Sequence, residues 1–310
     1  MAIELSNVTF TNRADVVPVS GAEEILNNGV INTLAGNDII IGTAGPMEFS
    51  SGILNGTPTP AYSSPEFVAS IDTGNGNDII TGTASNIQDS FGIFNWGPIV
   101  TGNGNDIITG IGSIGIYNYP TYFNYYDENY TKIDTGDGND IIMGSGPTAI
   151  SNGGYISTGN GNDSIIAYGS FDNSTDVSLG DGNDSIIVTG DMYSGGYIST
   201  GNGNDSIITS GSLKGFGNGV NLEDDNDYFY GFARGYLYGG NGEDTLELPP
   251  GSYTIEISFN TVKFTEDSTF TDNLPPQKAI MNTSGFEKLI AGSITYDWAS
   301  LINGQTILVA

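Results

Sequence analysis

TGNGNDIITG, residues Thr73–Gly82, stands again without change at Thr101–Gly110. Close copies begin at Thr135 (TGDGNDIIMG), Thr158 (TGNGNDSIIA), Leu179 (LGDGNDSIIV) and Thr200 (TGNGNDSIIT). Degenerate copies begin at Leu34 (LAGNDIIIG), Asp224 (DDNDYFYG) and Gly239 (GGNGEDTLEL). Such self-similarity marks stacked units, each burying its apolar face against the next. The motif aspartates are Asp38, Asp78, Asp106, Asp140, Asp163, Asp184, Asp205, Asp227 and Asp244, separated by 40, 28, 34, 23, 21, 21, 22 and 17 residues. The regular stretch from Asp140 to Asp227 predicts a coil of 21–23 residues with two short strands and two turns. Longer separations mark insertions near residues 46–70, with Pro58, Pro60 and Pro65, and near 117–132, a tyrosine-rich stretch.

Each motif also predicts which side chains face inward. Two residues after the aspartate stand Ile80, Ile108, Ile142, Ile165, Ile186 and Ile207; seven before it stand Ile71, Ile99, Ile133, Ile156, Val177 and Ile198. Side chains alternate along a strand, so both columns point into the coil and stack as aliphatic ladders. Position +4 is mostly small (Gly82, Gly110, Gly144, Ala167), as a narrow interior requires. Positions +1 and +3 face outward and give one outward isoleucine per coil, first Ile79, Ile107 and Ile141, then Ile166, Ile187 and Ile208. The expected apolar stripe is either a solvent-facing or cap-covered sheet, or a surface for self-association.

Composition narrows the chemistry. Among 310 residues, 37% are hydrophobic and 46 are glycine, a poor recipe for an ordinary core and a normal one for a chain that turns every few residues. Thirty-six acids against seven Lys and Arg give a formal charge of −29, which opposes compaction unless counter-ions bind. That sign makes nucleic acid an unsuitable partner. Cysteine and histidine are both absent, so disulfides, thiolate sites and imidazole ligands are excluded. Oxygen ligands remain, and these suit hard cations. No apolar run is long enough for a transmembrane segment, and MAIELSNVTFTNRADVV does not read as a Sec-type signal.

The turn G-[ND]-G-N-D gathers residues that tolerate left-handed backbone and can aim carbonyl oxygens at one point. Its closing aspartate supplies the charge that favours a divalent ion there. Recurring at strand spacing, about 4.8 Å, successive turns can share that ion. The candidate metal site therefore comprises the nine aspartates together with Gly74, Gly76 and Asn77; Gly102, Gly104 and Asn105; Gly136, Gly138 and Asn139; Gly159, Gly161 and Asn162; Gly180, Gly182 and Asn183; Gly201, Gly203 and Asn204; and Gly240 and Gly242. About nine Ca²⁺ would bring −29 to about −11, an ordinary soluble surface. A single copy would read as a common Asn-Gly turn; six full and three degenerate copies do not.

The phrase GNGNDSII resembles the RTX, or haemolysin-type, calcium-binding nonapeptide G-G-x-G-x-D-x-U-x, where U is a large aliphatic residue, and Gly239–Glu247 matches it throughout. Elsewhere the first glycine is replaced, by Thr73, Thr101, Thr135, Thr158 and Thr200 and by Leu179. The resemblance spans Asp38 to Asp244, and the repeat wording is also similar to short cyanobacterial proteins of this kind. It implies an all-β, right-handed parallel β-roll or β-helix solenoid holding several Ca²⁺ ions, roughly six to nine. It also implies an extracellular or cell-surface setting, export through a type I channel and folding on meeting calcium. RTX rolls place the motif at both turns of a coil, but GPTAISNGG, SFDNSTD and DMYSGG lack it. One calcium-binding turn per coil and a single row of ions are therefore expected.

Residues 1–35 are expected to cap the first coil, 36–244 to form the solenoid, and 245–310 to form a β-rich cap with strands in TLELPP, SYTIEIS and TVKFTE. The resemblance places an uncleaved export signal in that last segment. The function expected is a non-catalytic calcium-binding structural protein that self-associates or contacts a cell-surface polymer. Two alternatives stay open. One is a surface-recognition or ice-binding module using the outward turn positions Asn75/Asn77, Asn103/Asn105, Asp137/Asn139, Asn160/Asn162, Asp181/Asn183 and Asn202/Asn204, where threonine is absent. The other is a polysaccharide-active β-helix enzyme, with Asp127/Glu128 or Asp172/Asp176 as acid pairs and few bases beyond Lys132, Lys214 and Arg234.

Overall fold

The computed structural model describes residues 2–5, 8–17, 24–46, 49–56, 69–85, 88–119, 131–214, 219–270 and 277–310. Most of the two expected insertions therefore lies outside the described residues. One coil displays the plan. Ser70–Asp72 runs into the motif turn, Ile79–Thr83 leaves it, a bend follows, and Phe91–Asn95 leads through the opposite turn to Pro98–Val100 of the next coil. Each coil thus has three strand segments where two were expected. The second and third belong to one sheet and fuse into single strands at Ile141–Asn152 and Ser164–Asn173. Among the described residues, stacking yields an eighteen-stranded and a fourteen-stranded sheet, parallel throughout the solenoid. The all-β parallel solenoid read from the repeat is the observed architecture.

Pairing registers follow the repeat. Ile40, Ile80, Ile108, Ile142, Ile165, Ile186, Ile207, Phe229, Leu246 and Leu289 pair in succession, each fully buried. Facing them run Ile31, Ile71, Ile99, Ile133, Ile156, Val177, Ile198, Val220 and Leu237, again buried. A third buried ladder lies on the third segment: Ile25, Ile53, Ile93, Ile116, Ile150, Phe171, Met192 and Leu213. The small residue at +4 has a steric cause. A Cβ on Gly82 would stand 2.1 Å from the carbonyl oxygen of Gly92, because the third strand crosses there.

The outward stripe is broken. Ile79, Ile107 and Ile141 continue in register as Ser164, Ser185 and Ser206, while Ile166, Ile187 and Ile208 continue Thr81, Thr109 and Met143. Two offset half-stripes result, and their isoleucines are half-buried by neighbouring coils.

The turn opposite the motif is built on asparagine. Nδ2 of Asn27 donates to Oδ1 of Asn55 (2.7 Å), and the chain of bonds continues through Asn95, Asn118, Asn152 and Asn173 at 2.7–2.8 Å. All six side chains are at most 2% exposed. A buried amide is tolerated because its neighbours one coil above and below satisfy it. Asn118→Leu should leave the Asn152 side-chain carbonyl without a partner and the Asn95 amide with only its 3.3 Å bond to the Lys132 carbonyl, costing about 1–3 kcal/mol for the orphaned acceptor. The midpoint of thermal unfolding should fall by the same amount in calcium and in EGTA at pH 5, where the protonated ladder keeps the chain folded.

The N-terminal segments continue the stack: Ala2–Leu5 pairs with Glu24–Asn27, and Val16–Val17 with Ile39–Thr43. At the other end Gly251–Ser258, Thr261–Phe270, Gln277–Ser284 and Thr306–Val309 form an antiparallel sheet; the first two cover SYTIEIS and TVKFTE, while the last two carried no expectation. Two parallel pairings weld it to the solenoid, Gly235–Tyr238 with Gln277–Ser284 and Thr245–Leu248 with Lys288–Ala291.

Candidate metal-binding ladder

All nine motif aspartates form one column, and each is at most 2% exposed. The backbone N–H of each donates to Oδ1 of the next: Asp38 to Asp78, Asp78 to Asp106 and Asp106 to Asp140 at 2.7 Å, and so on to Asp227 with Asp244 at 2.9 Å. Two further residues complete the column. Asp15 N–H donates to Asp38 Oδ1 (2.7 Å), and Asp244 N–H to Glu287 Oε2 (2.8 Å). Sequence reading missed both, since the Asp15 turn has no glycine and the Glu287 turn keeps only Gly285 of the motif. The surviving signal was an acid two residues before a buried aliphatic, Val17 and Leu289.

The second carboxylate oxygen defines the problem this column must solve. Oδ2 of Asp38, Asp78, Asp106, Asp140, Asp163, Asp184, Asp205, Asp227 and Asp244 is buried and accepts no hydrogen bond. An unsatisfied buried charge is costly, and the cost appears in proton affinity. Burial pushes Asp78 and Asp244 up to about 6, Asp140 and Asp184 to about 7, and Asp227 to about 8. Adjacent carboxylates of the column add to the rise. Bonds from backbone N–H groups oppose it, as do the threonine hydroxyls beside Asp78 and Asp140.

Every glycine assigned to the site has a positive φ, from +82° at Gly74 to +155° at Gly242. Gly104 shows why no other residue fits: a Cβ there would lie 1.7 Å from the Gly76 carbonyl oxygen of the preceding coil. The assigned asparagines behave differently. Asn77, Asn105, Asn139, Asn162, Asn183 and Asn204 are exposed, and the Oδ1 of each of the first five accepts the backbone N–H of the next at 2.7–2.8 Å. Their side chains face outward from the turn, away from the buried carboxylates. In the neighbouring exposed column Asn103 bonds Asn75, Asn160 bonds Asp137, and Asn202 bonds Asp181. Acids there alternate with amides, which keeps like charges two coils apart.

Among the described residues no three acidic side chains converge on a point. A cation in this column would therefore be held by one ladder carboxylate per turn together with backbone carbonyls. Mixed oxygen sets of that kind, in irregular geometry, suit Ca²⁺ better than Mg²⁺.

Of the acid pairs considered for catalysis, Asp127/Glu128 lies outside the described residues. Asp172 and Asp176 do not share a site. Asp172 lines an open groove of about 670 Å³ with Asp191, Ser170 and Tyr193, whereas Asp176 accepts the Tyr197 N–H (3.2 Å). Asp191 is held by Lys214 at 2.6 Å. No helix among the described residues is long and apolar enough to cross a membrane.

No protein-family model and no curated protein matches the chain. One solved structure is similar: the X-ray crystal structure of a hyperactive, Ca²⁺-dependent, beta-helical antifreeze protein from an Antarctic bacterium. It shares 22% identity over 77% of this chain and 78% of that one, with a TM-score of 0.41. The strand registers described above, independent of that likeness, establish the chain as a parallel β-solenoid.

Proposed function

We propose that the chain is a non-catalytic calcium-binding structural protein of the secreted or surface-exposed RTX kind, whose solenoid is clamped by Ca²⁺ along one edge. One observation carries the reading: nine buried, partnerless Oδ2 atoms in a single column. A cation satisfies them together, and at −29 the chain has the charge to attract it. Oδ2 of the aspartates and carbonyls of the positive-φ glycines would hold it. Calcium supplies the charge that lets the carboxylates stay ionised while buried. The opposite edge, with its neutral asparagine ladder, needs no ion, which fits a single row. Export through a type I channel and folding outside the cell accompany this reading. They rest on the resemblance of the repeats.

Equilibrium dialysis against millimolar calcium, with bound metal counted by plasma emission, tests it. About six to nine ions per chain are expected. Fewer than two would overturn the assignment.

A further inference from the structure

We propose that Glu287 makes the C-terminal end of the stack a divalent-cation site of its own, so that docking of the cap onto the last coil is linked to cation binding. The inference rests on the cation reading above and carries it past the repeats, to a segment that has no motif.

The turn Gly239–Asp244 is the last with the repeat wording, and Ser284–Glu287 occupies the place where another turn would stack. Gly239 N–H donates to Ser284 O (2.9 Å), while Glu287 and Lys288 N–H donate to Asp244 O (3.1 and 3.0 Å). Asp244 N–H returns a bond to Glu287 Oε2 at 2.8 Å. Gly285, with φ +72°, turns the segment as the motif glycines turn theirs. A cap strand thus imitates a calcium turn with glutamate in the aspartate position.

The space between the two segments is lined with oxygen. The position a Cβ on Gly239 would take lies 1.9 Å from the Gly285 carbonyl oxygen and 2.8 Å from Asp244 Oδ2. Asp244 is fully buried, and that Oδ2 accepts no hydrogen bond. The neighbouring Lys288 pairs with Glu243 at 2.8 Å. Two carboxylates and a carbonyl from opposite sides of one seam are hard donors for a divalent ion, and an ion there joins cap to coil.

A reporter is already in place. Trp298 N–H donates to Glu287 O (2.8 Å), and its ring centroid lies 5.6 Å from that of Phe286. The chain has two tryptophans, so Trp96→Phe leaves Trp298 as the sole one. In that background, calcium is returned to EGTA-treated protein while Trp298 emission and far-UV circular dichroism are followed together. Glu287→Gln keeps an acceptor for Asp244 N–H and removes the charge. We expect it to move the Trp298 midpoint to at least about tenfold higher calcium and to lower the ion count by one, with the dichroism midpoint little changed. An unmoved Trp298 midpoint with an unchanged count overturns the proposal. Terbium supplies a measurement that needs no Glu287 variant: bound at this seam it should be sensitised by Trp298, and absence of sensitised emission, with terbium bound elsewhere, also overturns it. If neither protein binds calcium at all, the ladder reading falls instead.

Discussion

In EGTA at pH 8 the chain should lose most of its far-UV β signal, and at pH 5 in the same buffer it should recover it. The sign follows from the direction of the shifts. Asp78, Asp140, Asp184, Asp227 and Asp244 have folded-state values of about 6 to 8, against 3.8 for the free side chain. Without cations the folded state therefore binds more protons than the unfolded one, and stability falls as pH rises. The protonated ladder contributes in full below about pH 4 and is lost progressively up to about pH 8. Each neutral carboxyl resembles an asparagine amide, and the opposite edge shows that a neutral ladder is self-sufficient. Calcium should reverse the slope, since protons then compete with the ion. A pH titration by circular dichroism, with and without calcium, checks both halves. A β signal in EGTA that is equally strong at pH 5 and pH 8 would refute the account of the ladder.

Asp140→Asn separates charge from shape. Its Oδ1 still accepts the Asp106 N–H, now at 2.7 Å, but the buried charge is gone. In EGTA at pH 8 the variant should keep more of its far-UV β signal than the parent, because one repulsive, desolvated rung has been neutralised between Asp106 and Asp163. In calcium the order should invert: one or two ions are lost from the count, and the melting temperature drops. A change of the same sign in both buffers would show that Asp140 serves packing alone. Asn118→Leu is the natural control, since its cost should not depend on the cation.

The motif made much of this legible because its chemistry is local. Gly104 must be glycine, Ile108 must be inward, and Asp106 must end the turn, whatever surrounds them, and the repeat writes those demands at near-constant spacing. The third apolar ladder and the asparagine edge were written less regularly. Their signature, an apolar residue two before an asparagine, is present in Ile25–Asn27, Ile53–Asn55, Ile93–Asn95, Ile116–Asn118, Ile150–Asn152 and Phe171–Asn173. Its distance from the aspartate changes with each bend, so a fixed-period search passes over it.

Local rules are enough for the stacking axis, the two inward columns and the column of acids, since strand alternation and glycine stereochemistry act over a few residues. It took the folded chain to show that the acids bond one another through Oδ1 and leave Oδ2 without a partner, that the motif asparagines face outward, and that Asp15 and Glu287 close the column. These are contacts between coils, or between coil and cap. The partner of Asp244 is 43 residues away in a segment without the motif, a distance that no local pattern encodes.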